Sequence, residues 1–336
     1  MYEFASAVIN VWEKKIFDKT DQERMLKAPD RESALMVLFD ADIGEFVPKE
    51  EADEISILEK DYQRMKVNLS HVLGENARFL WFLFLKFDAL NLKIALKKTF
   101  FKTETAEIGF FAYANEPYQE IERRVSRFFG EKQGLKKEPT TLFPPLNPLV
   151  EKMLDLSLEA LRKIHLSEFN STAIEKAVDE AYFKVRLQTA LSISKMLGEM
   201  TRFEIDIANI KATLRNNGFL GGGNLSKEEI VAVLGLKKTD VHQEHKGLEY
   251  FLESLAVLTI ARNFAKSKSE FSLDSDLQSF FSRKVFERAR QTGFGLEKVM
   301  AFFQKKINSH NNIRLILFAK ANNLSVEDIE KNLLPI

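Results

Sequence analysis

One segment recurs three times along this chain, at intervals of about a hundred residues. The copies read 88-DALNLKIALK-97, 206-DIANIKATLR-215 and 309-SHNNIRLILF-318. Each begins with Asp or Ser, has Asn three residues later, and continues with an aliphatic residue and a cation. Self-similarity at so long a period predicts three related modules, because solenoid repeats are only ~20–50 residues long.

A second motif follows two of the copies. It reads 224-NLSKEEI-230 after the second copy and 323-NLSVEDI-329 after the third. The serine of each motif precedes Glu229 or Asp328 by three residues, which is the spacing of a capping box at a helix N-terminus. The first copy lacks the Asn-Leu-Ser, but 103-TETAEI-108 ends in Ile at the same distance from its asparagine as in the third copy. Each module is therefore predicted to hold a helix, a short turn and a second, capped helix.

The chain as a whole is predicted to be all-α. Apolar residues recur at spacings of three and four, as in 152-KMLDLSLEALRKI-164, and no long segment alternates with a period of two. Four of the 8 prolines lie in 139-PTTLFPPLNP-148, where they disfavour helix and predict a linker with a domain boundary nearby. We predict helical modules over residues 1–115, 116–230 and 231–336.

Composition and charge exclude several classes of function. The 49 basic residues balance the 49 acidic ones, which argues against gripping nucleic acid through bulk charge. The absence of cysteine excludes disulfides, thiolate nucleophiles and cysteine-ligated metals. The apolar run 79-FLWFLFL-85 is shorter than the ~20 residues of a bilayer span, so it predicts a buried helix segment. The acidic N-terminus, with Glu3 and no basic stretch, is not typical of a secretion signal. We expect a protein that is soluble or peripheral to a membrane.

The repeated positions place a short polar pair and a basic edge on an otherwise apolar helix. Residues three or four apart share a helix face, so the two polar side chains of a copy line up with each other, and its two cations line up with each other. The positions are Asp88, Asn91, Lys93 and Lys97 in the first copy; Asp206, Asn209, Lys211 and Arg215 in the second; and Ser309, Asn312 and Arg314 in the third, where Phe318 replaces the second cation.

These positions have two compatible interpretations. In the structural one, each polar pair hydrogen-bonds a neighbouring helix or loop and specifies how its module packs, because buried polar groups need partners. In the functional one, the three helices surround a shared axis and their polar edges face a common partner.

The order, number and spacing of the repeats resemble the C subunit (called d in eukaryotes) of the V-type and A-type rotary ATPases. The resemblance rests on 88-DALNLKIALKK-98, 206-DIANIKATLRNNG-218 and 309-SHNNIRLILFAKANNLSVEDI-329. It extends to 173-AIEKAVDEAYF-183, before the middle repeat, and to 295-GLEKVMAFFQKKINSHNNIR-314. It thus covers nearly the whole chain.

The resemblance implies a funnel-like, ring-shaped, all-helical protein with pseudo-threefold symmetry on the cytoplasmic face of the membrane rotor ring. The implied partners are the D and F proteins of the central stalk, whose lower end enters the central hollow, and the rotor ring built from c (or K) protomers. The stator protein called a (or I) is a further candidate partner. The implied role is torque transmission for ATP-driven ion transport or ATP synthesis. That role requires no catalytic residue, cofactor, metal, nucleic acid or small-molecule substrate.

The resemblance also makes the repeated polar positions candidates for partner binding. They are Asp88, Asn91, Lys93, Lys97, Asp206, Asn209, Lys211, Arg215, Asn312 and Arg314. The chain departs from the family pattern at Ser309 and His310, where acidic residues are expected before Asn312.

Three other residue patterns predict no catalytic, metal or nucleotide site. His242 and His245 have a spacing that suits a metal on a helix, but they lack the motifs of a di-iron bundle or a zinc protease, so we interpret them as surface residues. Gly221–Gly223 lack the Gly-Lys-Ser/Thr of a phosphate loop and predict a turn. The run 50-EEADE-54 is typical of a charged helix start.

Two other classes of protein remain as alternatives. The chain could be a cytosolic α-helical scaffold that binds a protein unrelated to an ATPase. An all-α enzyme is the less favoured alternative, because the chain has neither an Asp-Asp-x-x-Asp motif nor a His-Asp dipeptide.

Overall fold

The structure, a computed structural model, places most of the chain. It describes residues 2–41, 43–45, 47–48, 53–74, 76–101, 111–132, 145–164, 169–216, 259–260 and 270–336. Every regular element within these ranges is a helix, which confirms the all-α prediction.

The described helices are numbered along the chain. In chain order they are α1 (Tyr2–Trp12), a 3-10 turn (Glu13–Lys15), α2 (Lys19–Lys27), α3 (Arg31–Asp40), α4 (Glu54–Leu73), α5 (Ala77–Phe101), α6 (Tyr118–Lys132), α7 (Pro148–Arg162), α8 (Ser171–Ile193), α9 (Lys195–Asn216), α10 (Glu270–Thr292), α11 (Leu296–Ala321) and α12 (Val326–Glu330).

The chain divides into two compact units. The first is Phe46–Thr201, and the second joins Tyr2–Glu45 to Arg202–Ile336. The division into modules 1–115, 116–230 and 231–336 and their pseudo-threefold arrangement stay predictions.

One long helix forms the centre of each unit. In the first unit α5 contacts α4, α6, α7 and α8, and in the second α11 contacts α1, α2, α3, α10 and α12. A helix with neighbours on all sides must be apolar around most of its circumference. The run 79–85 of α5 is buried apart from the partly buried Trp81, as predicted, and residues 299–303 of α11 are all buried. The first and third copies of the repeat therefore lie on the two central helices.

The core of the first unit joins helices on both sides of the proline-rich segment. Leu92 of α5 and Val125 of α6 share a core with Met153 of α7 and Val178 of α8. Residues 139–148 thus connect helices of one compact unit and do not separate two units. Their last residue, a proline, begins α7, where its missing amide hydrogen costs no helical hydrogen bond.

Polar caps set where several helices begin. Asp53 and Ser56 form a capping box at the start of α4, which confirms the helix start predicted at 50–54. Ser325 caps α12 by accepting a hydrogen bond from the backbone N of Asp328 at 3.1 Å, as predicted for the third copy. Such a cap contributes ~1 kcal/mol. The related segments 103–108 and 224–230 lie outside the described residues.

Among the described residues, no helix combines the length and the apolar character that crossing a bilayer requires.

The burial of α5 predicts a position-dependent cost of truncating its leucines. Leu83 is fully buried and Leu90 is 39% exposed, and both lie in the helix interior. Leu83→Ala should lower the free energy of unfolding by about 2–5 kcal/mol, because it opens a cavity. Leu90→Ala makes the same chemical change on a partly solvated surface and should cost less than about 1 kcal/mol. Urea unfolding of both variants checks this, and equal costs would contradict the placement of α5.

Candidate functional site

The polar pair of the first copy holds a segment of main chain, residues 111–117, which we call the strap. Asn91 is fully buried on α5. Its Nδ2 donates to the carbonyl oxygen of Phe111 at 3.0 Å, and its Oδ1 accepts from the backbone N of Phe111 at 2.8 Å. The side-chain amide thus satisfies both backbone groups of one strap residue, and they in turn satisfy the buried amide.

Asp88, one turn before Asn91 on α5, is also fully buried and holds the other end of the strap. Its Oδ1 accepts from the backbone N of Glu116 at 2.9 Å, and its Oδ2 accepts from Nδ2 of Asn115 at 2.7 Å. Burial raises the pKa of Asp88 to about 7, although these hydrogen bonds and the charge of Lys66 act in the opposite direction. The cost of removing a charge from water therefore dominates at this carboxyl.

The strap also contacts α4 and α7. Lys66 of α4 donates its amine to the carbonyl oxygen of Ala114. Burial lowers the pKa of Lys66, while the nearby carboxylates of Asp88 and Glu116 raise it. The Glu116 carboxylate accepts from the backbone N of Asn147, the residue that caps α7. The strap is thereby tied to three helices, α4, α5 and α7.

The third copy of the repeat uses its asparagine in the same way. Asn312 of α11 donates Nδ2 to the carbonyl oxygen of Leu334 at 2.9 Å and accepts from the backbone N of Leu334 at 2.8 Å. This partner lies 22 residues further along the chain, against 20 for Asn91 and Phe111. Asn308 adds a bond from its Nδ2 to the carbonyl oxygen of Pro335 at 2.6 Å. The structural interpretation therefore holds for Asn91 and Asn312, since each pins a returning segment of main chain.

The departures from the family pattern are buried in the second unit. Ser309 and His310 are both fully buried on α11. The hydroxyl of Ser309 donates to the carbonyl oxygen of Phe17 at 3.3 Å. Where the first copy has Asp88, the third thus has a neutral donor that suits a main-chain carbonyl oxygen.

The basic edge of the first copy faces acidic residues of α8. The amine of Lys93 lies 2.6 Å from the carboxylate of Asp179, and Lys97 pairs with Glu175. The hydrogen bond from Lys97 is the largest influence on Glu175 and holds its pKa below the usual value. Both pairs are partly exposed to water, so each contributes little to stability, although together they align α5 with α8.

The remaining predicted positions differ in what the structure describes. Arg314 is half-buried on α11, and Phe318, which stands where the first copy has Lys97, is 62% exposed. The second-copy residues lie on α9, but their side chains fall outside the described ones; they are Asp206, Asn209, Lys211 and Arg215. Whether any of the ten candidate positions contacts a partner stays a prediction.

The histidine pair and the glycine run of the sequence analysis also lie outside the described residues. Residues 240–245, with His242 and His245, and Gly221–Gly223 are not among the described residues. Across the ranges that are described, no group of His, Asp and Glu side chains is arranged to hold a metal ion.

The sequence patterns did not reveal the partners of the repeated residues. Lys66, Asn115 and Glu116 belong to no repeat and have no local pattern that marks them.

Arg186 did carry a signal, since it interrupts an apolar stripe of α8. It is 2% exposed, donates Nη1 to the carbonyl oxygen of Phe82 at 2.7 Å and stacks on the Phe82 ring. A charged residue on a core-facing stripe predicts such a buried contact.

The shared role of the two asparagines predicts matching costs of removing them. Asn91→Ala and Asn312→Ala should each lower the free energy of unfolding by roughly 2–4 kcal/mol, because a backbone N–H and C=O lose their partner in a buried place. Asn10 is exposed on α1, and Asn10→Ala should change stability by less than about 0.5 kcal/mol. Denaturant unfolding measures all three variants. A loss at Asn91 or Asn312 no larger than at Asn10 would show that the hydrogen bonds of the buried asparagine do not support the fold.

The ion pairs between α5 and α8 predict a weak coupling. In a double-mutant cycle, Lys97→Met and Glu175→Gln should show an interaction energy of only about 0–1 kcal/mol, because both side chains remain in contact with water. The coupling should shrink further in concentrated salt. A coupling well above this range, or one that salt leaves unchanged, would contradict the partly exposed geometry.

Comparison with known proteins places the chain in a family. The family model described as ATP synthase (C/AC39) subunit matches residues 5–332, which include both units and all three copies of the repeat. No individually curated protein matches the chain. The match confirms the resemblance that the repeats indicated. The chain belongs to the ATP synthase (C/AC39) subunit family and is thus part of a V/A-type ATPase.

Proposed function

We propose that this chain is the central-stalk component that couples the D–F shaft of a rotary ATPase to its membrane rotor ring. In this role it sits peripherally on the cytoplasmic face of the membrane and transmits torque, while catalysis and ion binding belong to other components of the complex. The observation that carries the proposal is the family match over residues 5–332, which leaves little of the chain for a different function.

The packing of each unit supports a mechanical role. A coupling element must resist deformation, and close-packed helices around a buried central helix have low compressibility. The polar groups of α5 and α11 add directional links, because Asn91 and Asn312 each hold a distant main-chain segment. Such links fix the geometry of neighbouring elements where apolar contacts alone would allow sliding.

We also propose where the partners bind. Asp88, Asn91 and Asn312 are buried and hydrogen-bonded inside their own units, so they act on partners through the packing they maintain. The basic positions of the second copy, Lys211 and Arg215, are the favoured direct contacts to acidic or carbonyl groups of the stalk.

The test is reconstitution with purified partners. The tagged chain is mixed with D–F stalk and detergent-solubilised rotor ring from the same source, and the complex is isolated by the tag. We expect one copy of the chain to retain both partners at once. Retention of neither partner by a well-folded chain would refute the coupling role and favour a helical scaffold for other proteins.

Charge-reversal variants test the contact positions in the same assay. The double variant Lys211→Glu and Arg215→Glu should weaken stalk binding at least tenfold if both cations contact the stalk, since tenfold corresponds to only ~1.4 kcal/mol. The matched control is Lys163→Glu with Lys176→Glu, which reverses two exposed cations of the first unit. Unchanged stalk binding by the Lys211→Glu and Arg215→Glu variant would exclude these two residues as contacts. The coupling role itself is tested separately, by the reconstitution.

A further inference from the structure

The carboxyl group of Asp88 is sealed from water by the strap that it binds. Its side chain is fully buried on α5, and the groups that meet its two oxygens, Nδ2 of Asn115 and the backbone N of Glu116, both belong to the strap. Asn115 also donates to the carbonyl oxygen of Trp81 at 2.9 Å, which extends the closure along α5. Opening of the strap would therefore bring water to a carboxyl that is dry when the strap is closed.

Few other charged groups act on this carboxyl. Lys66 of α4 is the cation whose charge reaches Asp88, and Glu116 of the strap is the other carboxylate near that lysine. Lys66 stays close because its amine donates to Ala114 in the middle of the strap. Among the described residues, neutral N–H groups of Asn115 and Glu116 and the cation Lys66 thus offset the loss of water at this carboxyl.

The charged groups on the other helices that pack against α5 are engaged elsewhere along it. On α8, Arg186 lies over the ring of Phe82, and Asp179 pairs with Lys93. On α6, Glu122 pairs with Lys98. At α7, the contact with the strap is the hydrogen bond that the backbone N of the capping residue Asn147 donates to Glu116.

We propose that the strap and Asp88 form a pH-responsive closure in the first unit, firmest when the Asp88 carboxyl is neutral and weakened as it ionises. The physical cause is the cost of keeping a carboxylate charge out of water. A closed strap imposes that cost, and an open strap removes it by admitting water.

The direction follows from proton binding in the two states. With the strap closed the pKa of Asp88 is about 7, against an ordinary value of 3.8 for a solvated carboxyl. Between these values the closed state holds a proton that the open state has lost, so the closed state is favoured at low pH and loses this advantage as the pH rises to about 7. From these two pKa values, the opening equilibrium should rise about tenfold between pH 6 and pH 8.

Amide hydrogen exchange of the whole chain, read by mass spectrometry on peptides that cover 111–118, measures this opening. Two strap amides report it, because the backbone N–H groups of Phe111 and Glu116 are bonded to Asn91 and Asp88 of α5 when the strap is closed. After correction for the intrinsic exchange rate at each pH, the protection of these peptides should fall about tenfold from pH 6 to pH 8. The corrected protection of peptides from the interior of α8 should not change between pH 6 and pH 8.

Variants separate Asp88 from other titrating groups. In Asp88→Asn the corrected protection of the strap should no longer depend on pH. Lys66→Met removes the cation that favours the charged carboxyl and should move the fall to higher pH, which keeps the test valid if Asp88→Asn does not fold. His71→Gln is the matched control on α4, since it removes another ionisable side chain of the same helix. Asp276→Asn removes a carboxyl of α10 whose pKa burial also raises. Both controls should keep the pH dependence.

Three results would overturn the proposal. They are a strap whose protection does not fall with pH, a fall that persists unchanged in Asp88→Asn, and an equal fall in the α8 peptides, which would indicate general loosening. Each is measured on the isolated chain, so the outcome does not depend on whether the chain binds the stalk and the ring.

Discussion

The constraint on which much of this structure depends is the placement of polar side chains in the middle of two buried helices. α5 and α11 are packed among other helices, and the side chains of Asp88, Asn91 and Asn312 on them have no access to bulk water. An amide or carboxyl in such a place costs several kcal/mol unless it finds partners, and the helix backbone has none to offer. Main-chain segments from elsewhere must therefore come to the helix, the strap to Asp88 and Asn91 and the chain near Leu334 to Asn312.

This requirement gives the repeat a physical meaning that suits a component of a rotary ATPase. Each of the two buried asparagines, Asn91 and Asn312, ties chain segments that are 20 or 22 residues apart. Each therefore closes a loop against the central helix and specifies one packing geometry. Apolar contacts supply most of the stability of such a core, while directional hydrogen bonds determine which arrangement is adopted. The proposed role in torque transmission would benefit from both, because stiffness needs dense packing and a unique arrangement of the helices.

The candidate site shows how far residue patterns reach. The spacing of Asp88 and Asn91 indicated a polar pair on one helix face that needed partners, and the pair has them. The spacing of Lys93 and Lys97 indicated a basic edge, which pairs with α8. The pattern could not identify those partners, because a hydrogen bond to a backbone N–H or C=O places no demand on the residue type that supplies it. Phe111 and Leu334 have nothing in common as side chains, yet they occupy equivalent places. The acidic partners on α8 and the partly buried Lys66 could not be identified for a related reason, since charged residues at helical spacing are most often solvated.

The sequence by itself determined that the described chain is helical, where the central apolar segment lies, which positions repeat, and to which family the chain belongs. These properties are local or additive, because periodicity, capping and motif order are written in neighbouring residues. Only the tertiary structure decided that residues on both sides of the proline-rich segment share one core, that the first-copy cations pair with α8, and that Asp88 is sealed beneath the strap. Burial and the pKa that follows from it depend on which distant segments exclude water from a group, and no stretch of sequence states that alone.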